Sequence, residues 1–194
     1  MCSRIVLSFE DFEERFTLDR LVSDEKFDTF SCSIEEYNAY LIKDALKSQN
    51  DMIAVTYLLH DKSNGDIAAY MSLIADSIKL NASEKKLHEL NYPFKTMPAM
   101  KIAKLAVSTS YKQQFYGIGS TMITFSSGIA TTTYKDRFAC RFLTVDADIE
   151  HDKGVEIFYV KNGFVPNSEM NNKKSKTINM RRDLFRKYLY NEGE

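Results

Sequence analysis

Two closely spaced glycines at the start of a predicted helix are the first candidates for chemistry in this sequence. Leu105-Ala-Val107 is apolar and predicts the end of a strand, and Gly117-Ile-Gly119-Ser120 opens a segment with helical spacing. At a helix start the amide N–H groups point outward, the dipole favours negative charge, and glycine lets a phosphate approach the backbone. The spacing is neither that of a Walker loop nor that of a dinucleotide fingerprint. It predicts an anion site, although a plain turn before a helix would use the same residues.

A tyrosine about 40 residues downstream is the second candidate. Phe158 and Tyr159 lie in a short predicted helix over 153–162, with Gly163 as its C-terminal cap. Neighbouring helical residues point about 100° apart, so if Phe158 faces the core, Tyr159 reaches a different environment. Two interpretations stay open: both rings are core residues, or Tyr159 has a chemical role.

Cysteines and histidines show no metal-ligand spacing, and no metal is predicted. An odd number of widely separated cysteines is typical of reduced thiols. The histidines are predicted to be surface or turn residues. These residues are Cys2, Cys32, Cys140, His60, His88 and His151.

Composition excludes several classes of protein. The chain has 194 residues, 44% hydrophobic and 27% charged, which fits one domain with a sizeable core and excludes disorder. No apolar run approaches the roughly 20 residues that cross a bilayer, and the N-terminus lacks the apolar core of a secretory signal. We therefore expect a cytoplasmic protein with no membrane partner.

Charge is distributed unevenly along the chain. The totals are 26 basic and 27 acidic side chains, a net charge of −1. Residues 1–30 carry four basic and eight acidic side chains, whereas residues 171–190 carry seven basic and one acidic. This asymmetry predicts a local basic face, although a solvated terminal segment would have the same composition.

The elements that must position these residues have a mixed α/β pattern. Ser33-Ile-Glu-Glu36 has capping-box spacing and predicts a helix over 34–48, and Asn64-Gly65 predicts a hairpin turn. The other predicted elements are a short helix around 83–90, a strand over 99–108, a polar loop over 108–116, a helix that opens with Gly117-Ile-Gly-Ser120 and runs to about 133, a strand over 141–147, the helix over 153–162, a strand start at Phe164-Val165 and a last strand over 176–183. The prediction is a single α/β (α+β) domain over 1–194, with a mixed central sheet flanked by helices.

In this order, the elements resemble the GNAT superfamily of acyl-CoA-dependent N-acetyltransferases over roughly residues 30–184. The resemblance is carried by the hairpin at Asn64-Gly65, Lys104-Leu-Ala-Val107 on the family's fourth strand, Gln114-x-x-Gly117-x-Gly119 as its Gln/Arg-x-x-Gly-x-Gly/Ala signature, and Phe158-Tyr159-x-x-x-Gly163-Phe164.

The resemblance implies an acyltransferase in which a primary amine attacks the acetyl group of acetyl-CoA directly. Tyr159 would be the catalytic general acid that protonates the departing thiolate. Amides around Leu105, Ala106 and Val107 would pair with pantetheine and polarise the thioester carbonyl. The loop that would hold the coenzyme pyrophosphate consists of Gln114, Phe115, Tyr116, Gly117, Ile118, Gly119 and Ser120.

Three features depart from the family pattern. The spacing before Gly117 is about two residues longer than is common. Many relatives carry a glutamate on the fourth strand, where this chain has Lys101 and Lys104, so no general base is assigned. Asp152 stands roughly where relatives often place an asparagine that contacts the coenzyme.

A narrower likeness concerns the acceptor. Phe30-Ser-Cys32-Ser-Ile-Glu-Glu-Tyr37 and Met97-Pro-Ala99 resemble the GNAT subgroup that contains toxins of toxin–antitoxin modules, with Ser33 in place of a typical glycine. Members of that subgroup acetylate aminoacyl-tRNA and pair with a DNA-binding antitoxin. The acceptor stays open between a small amine or amino-acid-like metabolite and aminoacyl-tRNA, with a protein amine third. A homodimer, an antitoxin partner, and a non-catalytic acyl-CoA-binding or interaction module on the same fold also stay open.

A tRNA acceptor would need several basic contacts to phosphate. The residues that could supply them are Lys173, Lys174, Lys176, Arg181, Arg182, Arg186 and Lys187, with Lys85, Lys86, Lys95, Lys101 and Lys104 nearer the expected acceptor side.

Overall fold

Helices and strands alternate along the chain. The computed structural model describes residues 4–23, 25–167 and 175–185, without the side chain of residue 136. The strands are β1 (Ile5–Val6), β2 (Phe16–Arg20), β3 (Val55–Asp61), β4 (Ile67–Lys79), β5 (Thr96–Val107), β6 (Phe115–Tyr116), β7 (Phe142–Asp148), β8 (Val165–Pro166) and β9 (Thr177–Asp183). The helices are α1 (Phe9–Arg15), α2 (Glu35–Ala39), α3 (Ala45–Asn50), α4 (Ala82–Leu87), α5 (Thr109–Gln114), α6 (Ile118–Asp136) and α7 (Val155–Lys161), and a π-helical turn (Tyr40–Asp44) joins α2 to α3.

The predicted mixed α/β fold is confirmed. Seven strands form one sheet in the order β2-β3-β4-β5-β7-β9-β8, and β1 and β6 form a separate parallel pair. The β3–β4 hairpin is antiparallel, and Gly65 in its turn has φ +78°, a backbone angle that glycine adopts without steric cost. By contrast, β5 runs parallel to β7 through the register Ala99–Ile102.

Contacts divide the chain into two units, Met1–Ile74 with Ala103–Phe125 and Ala75–Ile102 with Ser126–Glu194. The core of the first unit includes Tyr70, which is fully buried, and Leu41 and Ala45 from the helical run after residue 34. The predicted helix over 34–48 is therefore confirmed, although a π-helical turn interrupts it. The single domain over 1–194 stays a prediction.

The second unit has its own apolar cluster around Phe142, Ile78 and Met97. His88 lies against it, 6% exposed, with its ring 5.0 Å from the Phe142 ring. His88 lies in the turn that follows α4, as predicted, but it is buried rather than exposed, because the Asp183 carboxylate lies 2.8 Å from its Nδ1 and compensates the burial of the polar ring. Among the described residues, no helix is both long and apolar enough to span a bilayer.

Residues 5–20 form elements that were not predicted. Helix α1 begins after Ser8, whose hydroxyl accepts from the Asp11 amide (3.1 Å) while the Asp11 carboxylate accepts from the Ser8 amide (3.3 Å). This is a capping box. The buried residue of α1, Phe12, packs on Phe16 and Phe125 with ring separations of 4.8 and 6.0 Å. The spacing from Ser8 to Asp11 is a local signal that could have revealed the helix.

Candidate functional site

The two faces of the β5 end have different surroundings in the first unit. Ala106 is 7% exposed and belongs to the core cluster, whereas Leu105 and Val107 lie on the other face and are half-buried. The Ser108 amide donates to the Ala68 carbonyl of β4 (2.8 Å), and β5 ends there because Ser108 is the N-cap residue of α5. The backbone of Leu105–Val107, which the family resemblance assigns to pantetheine, is thus held by the packing of Ala106 on one face of the strand.

Residues 108–116 do not form the predicted polar loop. Helix α5 and strand β6 occupy them. Ser108 has non-helical backbone angles, and its carbonyl accepts from the Lys112 amide (2.8 Å), which closes the first turn. The polar composition conceals this helix because Tyr111 is its one buried residue, and Gln114 at its end is exposed. The additional length before the glycines is used for a helical turn.

A buried carboxylate holds α5 in place. Asp61 is fully buried and accepts from Arg15 (2.7 and 3.0 Å), from the amide and hydroxyl of Ser63, and from the Tyr111 hydroxyl (3.0 Å). Burial by itself would raise the pKa of Asp61, but the donors of Ser63, Arg15 and Tyr111 outweigh it and lower the pKa. Burial, together with the hydrogen bond to Asp61, raises the pKa of Tyr111 to about 12. The phenol therefore stays protonated and donates at neutral pH.

Phe115 and Tyr116 have different surroundings although they are neighbours. Strand β6, which they form, pairs with β1. Phe115 is 2% exposed, and the Arg15 guanidinium lies 4.7 Å from its ring. Tyr116 is 62% exposed, and the Arg4 guanidinium lies 5.6 Å from its ring. The Phe115 side chain is a packing anchor, so only its backbone is available to a ligand.

The glycine turn has the features of an anion site. Gly117 has φ +93°, and a Cβ there would meet no atom within 4 Å, so glycine is required for its backbone angle rather than for space. Helix α6 follows at once, and its first bond runs from the Thr121 amide to the Gly117 carbonyl (3.0 Å). The amides of Ile118, Gly119 and Ser120 precede that bond, as the first donors of any helix do.

An open cavity lies on the α5 side of the first unit. Its volume is about 460 Å³. Two of its side chains are cationic and the other three are polar and uncharged, so it favours anions. It is lined by Arg4, Ser33, Thr109, Lys112 and Gln113.

Tyr159 belongs to the second unit. It is 6% exposed and is the buried residue of α7, whereas Phe158 beside it is half-buried. Its ring packs edge-on against Phe158 (5.1 Å) and Phe164 (5.3 Å). The Gly163 amide donates to the Val160 carbonyl and the Phe164 amide to the Tyr159 carbonyl, both at 3.0 Å, with Gly163 at φ +81°. The predicted glycine cap is confirmed as a Schellman motif, and it fixes the orientation of α7 around Tyr159.

Solved structures share this architecture. AtaT complexed with acetyl-methionyl-tRNAfMet superposes with a TM-score of 0.73 at 19% identity, over 90% of this chain and 98% of that one. AtaTR bound with AcCoA gives 0.66 at 18%, over 91% and 98%. A mutant AtaT toxin bound to the C-terminus of the antitoxin AtaR gives 0.69 at 17%, over 91% and 98%.

The chain has the GNAT fold. No protein-family profile matches the sequence, and no curated protein sequence matches it closely. At these sequence identities the likeness establishes the fold alone.

Several cations of this GNAT fold are already paired. Arg181, predicted to be available to phosphate, is 2% exposed and lies 3.0 Å from the Glu84 carboxylate, so that prediction is wrong. Lys101 forms an ion pair with Asp146. Two more of the cations predicted to contact phosphate are paired: Lys176 lies 2.7 Å from Glu150, and Lys85 donates to the Phe94 carbonyl at 2.6 Å. Lys173, Lys174, Arg186 and Lys187 lie outside the described residues.

Thiols, histidines and Asp152 have local structural roles. Within the described ranges, no group of three or more His, Cys, Asp and Glu side chains could hold a metal ion. Cys32 and Cys140 are free thiols whose pKa values are raised by burial, and Cys2 lies outside the described ranges. The other contacts are His60 with Glu25 (3.2 Å), His151 with Asp148 (2.8 Å), and Asp152, whose carboxylate accepts from the Gly154 amide (2.8 Å).

Proposed function

We propose that this chain is a GNAT-type N-acetyltransferase that moves an acetyl group from acetyl-CoA to the amino group of aminoacyl-tRNA. The observation that carries the proposal is the Gly117–Ser120 turn, a glycine of positive φ followed by the first amides of a 19-residue helix. The chain that carries this turn shares its fold with AtaTR bound with AcCoA. The AtaT complex with acetyl-methionyl-tRNAfMet favours charged tRNA over a small metabolite as the acceptor.

The coenzyme would be held by main-chain groups of the first unit. The amides of Ile118, Gly119 and Ser120 would donate to the pyrophosphate, where the dipole of α6 adds to the attraction. The backbone of Leu105–Val107 would pair with pantetheine, as a strand edge pairs with an extended ligand. Lys112 in the adjoining helix α5 would add positive charge near the phosphates.

In the reaction, the acceptor nitrogen would attack the thioester carbonyl carbon. Negative charge would grow on the carbonyl oxygen, and an amide of the β5 end would stabilise it. When the carbon–sulfur bond breaks, the Tyr159 hydroxyl would give its proton to the thiolate. The attacking nitrogen would lose its proton to water, since no side chain is assigned as the base.

The same proposal includes an antitoxin partner, as in the AtaT structure that contains the C-terminus of AtaR. A neutralising protein suits an enzyme that blocks translation. Homodimer formation and a cytoplasmic location stay predictions.

A Tyr159→Phe variant tests the proposal. We expect it to bind acetyl-CoA as the wild type does, measured by calorimetry, and to lose most release of free coenzyme A in the presence of charged tRNA. Tyr134→Phe is the matched control, because Tyr134 is 62% exposed and should leave both measurements unchanged. Binding of acetyl-CoA without turnover in the wild type would favour the non-catalytic module instead.

A further inference from the structure

A lysine without a counter-ion stands next to the β5 end. Lys104 immediately precedes Leu105 and is half-buried. Its ammonium lies 4.4 Å from the centre of the Tyr37 ring and 5.9 Å from that of Tyr40. Within residues 4–23, 25–167 and 175–185, it makes no hydrogen bond or ion pair.

The two tyrosines beside Lys104, Tyr37 and Tyr40, both contact Tyr70. Tyr70 is fully buried, and its hydroxyl donates to the Tyr37 carbonyl (2.8 Å). Its ring stacks on Tyr40 (6.4 Å between centroids) and meets the edge of Phe30 (5.3 Å). Tyr70 therefore holds the backbone of Tyr37 and packs on the ring of Tyr40, the two residues whose rings attract the ammonium.

The backbone that follows Tyr37 is irregular. The π-helical turn begins at Tyr40, and the amide of Ala45 donates to the Tyr40 carbonyl. Such turns are uncommon in helices and frequently occur at functional sites. Here the turn begins at one of the two rings that contact Lys104.

Lys101 on the same strand provides a contrast. Its ammonium is neutralised by Asp146, and an ammonium loses hydration whenever it is partly buried. Among the described residues, Lys104 has only ring faces for compensation, which leaves its three donors available to an anion. The side chain therefore fits a negatively charged group that arrives with a ligand.

We propose that Lys104, backed by Tyr37 and Tyr40, binds an anionic oxygen of the acceptor, namely the phosphate at the terminal nucleotide of charged tRNA. This inference rests on the proposed function. In aminoacyl-tRNA the carboxyl group of the amino acid is esterified, so the phosphate is the negative charge closest to the reacting amine. A free amino acid would offer its own carboxylate instead. Lys104 would thus determine specificity and take no part in the chemical step.

The test measures acetylation rates over a range of charged-tRNA concentrations, at saturating acetyl-CoA and at several salt concentrations. Lys104→Met keeps most of the aliphatic stem and removes the charge. We expect the KM for charged tRNA to rise about tenfold, the loss typical of one charge-assisted hydrogen bond, with kcat and the KM for acetyl-CoA unchanged. The slope of log affinity against log salt should fall by about 0.7, as expected for one phosphate contact to a single strand.

Two further variants complete the test. Lys104→Arg should recover most of the affinity, and Lys101→Met, which removes a charge already paired, should behave as wild type. A fall in kcat with unchanged KM, or an unchanged salt slope, would overturn the proposal.

The acceptor is tested separately. If the wild type acetylates free amino acids and not charged tRNA, the proposed acceptor is wrong. A Lys104→Met defect with free amino acids that disappears with their methyl esters would then show carboxylate recognition and overturn the phosphate assignment. If the wild type acetylates neither, gel-shift binding of tRNA decides: weaker binding by Lys104→Met supports the contact, and equal binding overturns it.

Discussion

Each unit contains a carboxylate whose buried side chain is the centre of a hydrogen-bond network, and the two networks connect different kinds of element. Asp61 in the first unit binds Arg15, Ser63 and Tyr111, and Tyr111 belongs to the helix that leads to the glycine turn. Asp183 in the second unit binds His88 and Arg141.

The Asp183 network connects only residues that stabilise the fold of the second unit. Arg141 donates to Asp183 through Nε (2.8 Å) and a terminal nitrogen (2.9 Å), and also to the His88 carbonyl (3.2 Å). The Arg181 Nε–H donates to Nε2 of His88 (3.3 Å), and Nδ1 of the same ring faces Asp183. None of these residues is proposed to contact a substrate. We therefore expect the Asp61 network to affect both stability and coenzyme affinity, and the Asp183 network to affect stability alone.

Asp183→Ala has the largest expected effect. It leaves Arg141 and His88 without their buried partner, which typically costs about 3 kcal/mol, and urea unfolding measures the loss. Asp51→Ala, which removes an exposed ion pair with Lys47, is the control and should change the free energy of unfolding by no more than about 0.5 kcal/mol. The folded fraction of Asp183→Ala should keep the wild-type KM for acetyl-CoA, and a raised KM would remove the distinction between the networks.

The pH dependence of stability separates Asp183 next. Burial opposes ionisation, but His88 and Arg141 lower the pKa of Asp183 to about 2, below the value of about 3.9 in unfolded chains. Its contribution is therefore complete above about pH 5 and is lost as the pH falls to about 1, about 2.6 kcal/mol in all. Urea titrations at several pH values should show the gap between wild type and Asp183→Ala narrowing below about pH 5. A constant gap would contradict the assigned pKa.

Substitutions at two glycines sharpen the comparison within the first unit. Gly117→Ala and Gly65→Ala each place a Cβ in open space at positive φ, so both should cost about 1 to 2 kcal/mol of backbone strain. Gly117→Ala should also weaken acetyl-CoA binding in calorimetry, because the strained turn leads into the amides that we propose bind the pyrophosphate. Equal acetyl-CoA affinities for the two variants would argue against a coenzyme site at Gly117.

Tyr111→Phe is the mildest change. The ring remains and only the hydroxyl that donates to Asp61 is lost, which should cost about 1 kcal/mol of stability. Because α5 leads to the glycine turn, the KM for acetyl-CoA should rise several-fold in steady-state assays, with kcat changed little. Tyr57→Phe, on strand β3, offers a comparison outside both networks and should not alter that KM.

Local signals predicted much of the fold, and long-range partners account for what was missed. Asn64-Gly65, Gly163 and Gly117, the glycine before α6, determine backbone conformation within a few residues, so their turns and caps are predictable from the sequence. The burial of His88 depends on its partner Asp183, which is 95 positions away in the sequence. The position of α5 depends on the hydrogen bond from Tyr111 to Asp61, which are 50 positions apart. Lys104 was visible as a departure from the family pattern, but its place over Tyr37 depends on the packing of α2 against β5.

The most direct test of acetyl transfer is the mass of the product on tRNA. Purified protein is incubated with acetyl-CoA and charged tRNA, and the aminoacyl-adenosine released by nuclease is analysed by mass spectrometry. The account predicts a gain of one acetyl group on the amino acid nitrogen with wild-type protein and almost none with Tyr159→Phe. Unmodified aminoacyl-adenosine from the wild type, or full acetylation by Tyr159→Phe, would contradict it.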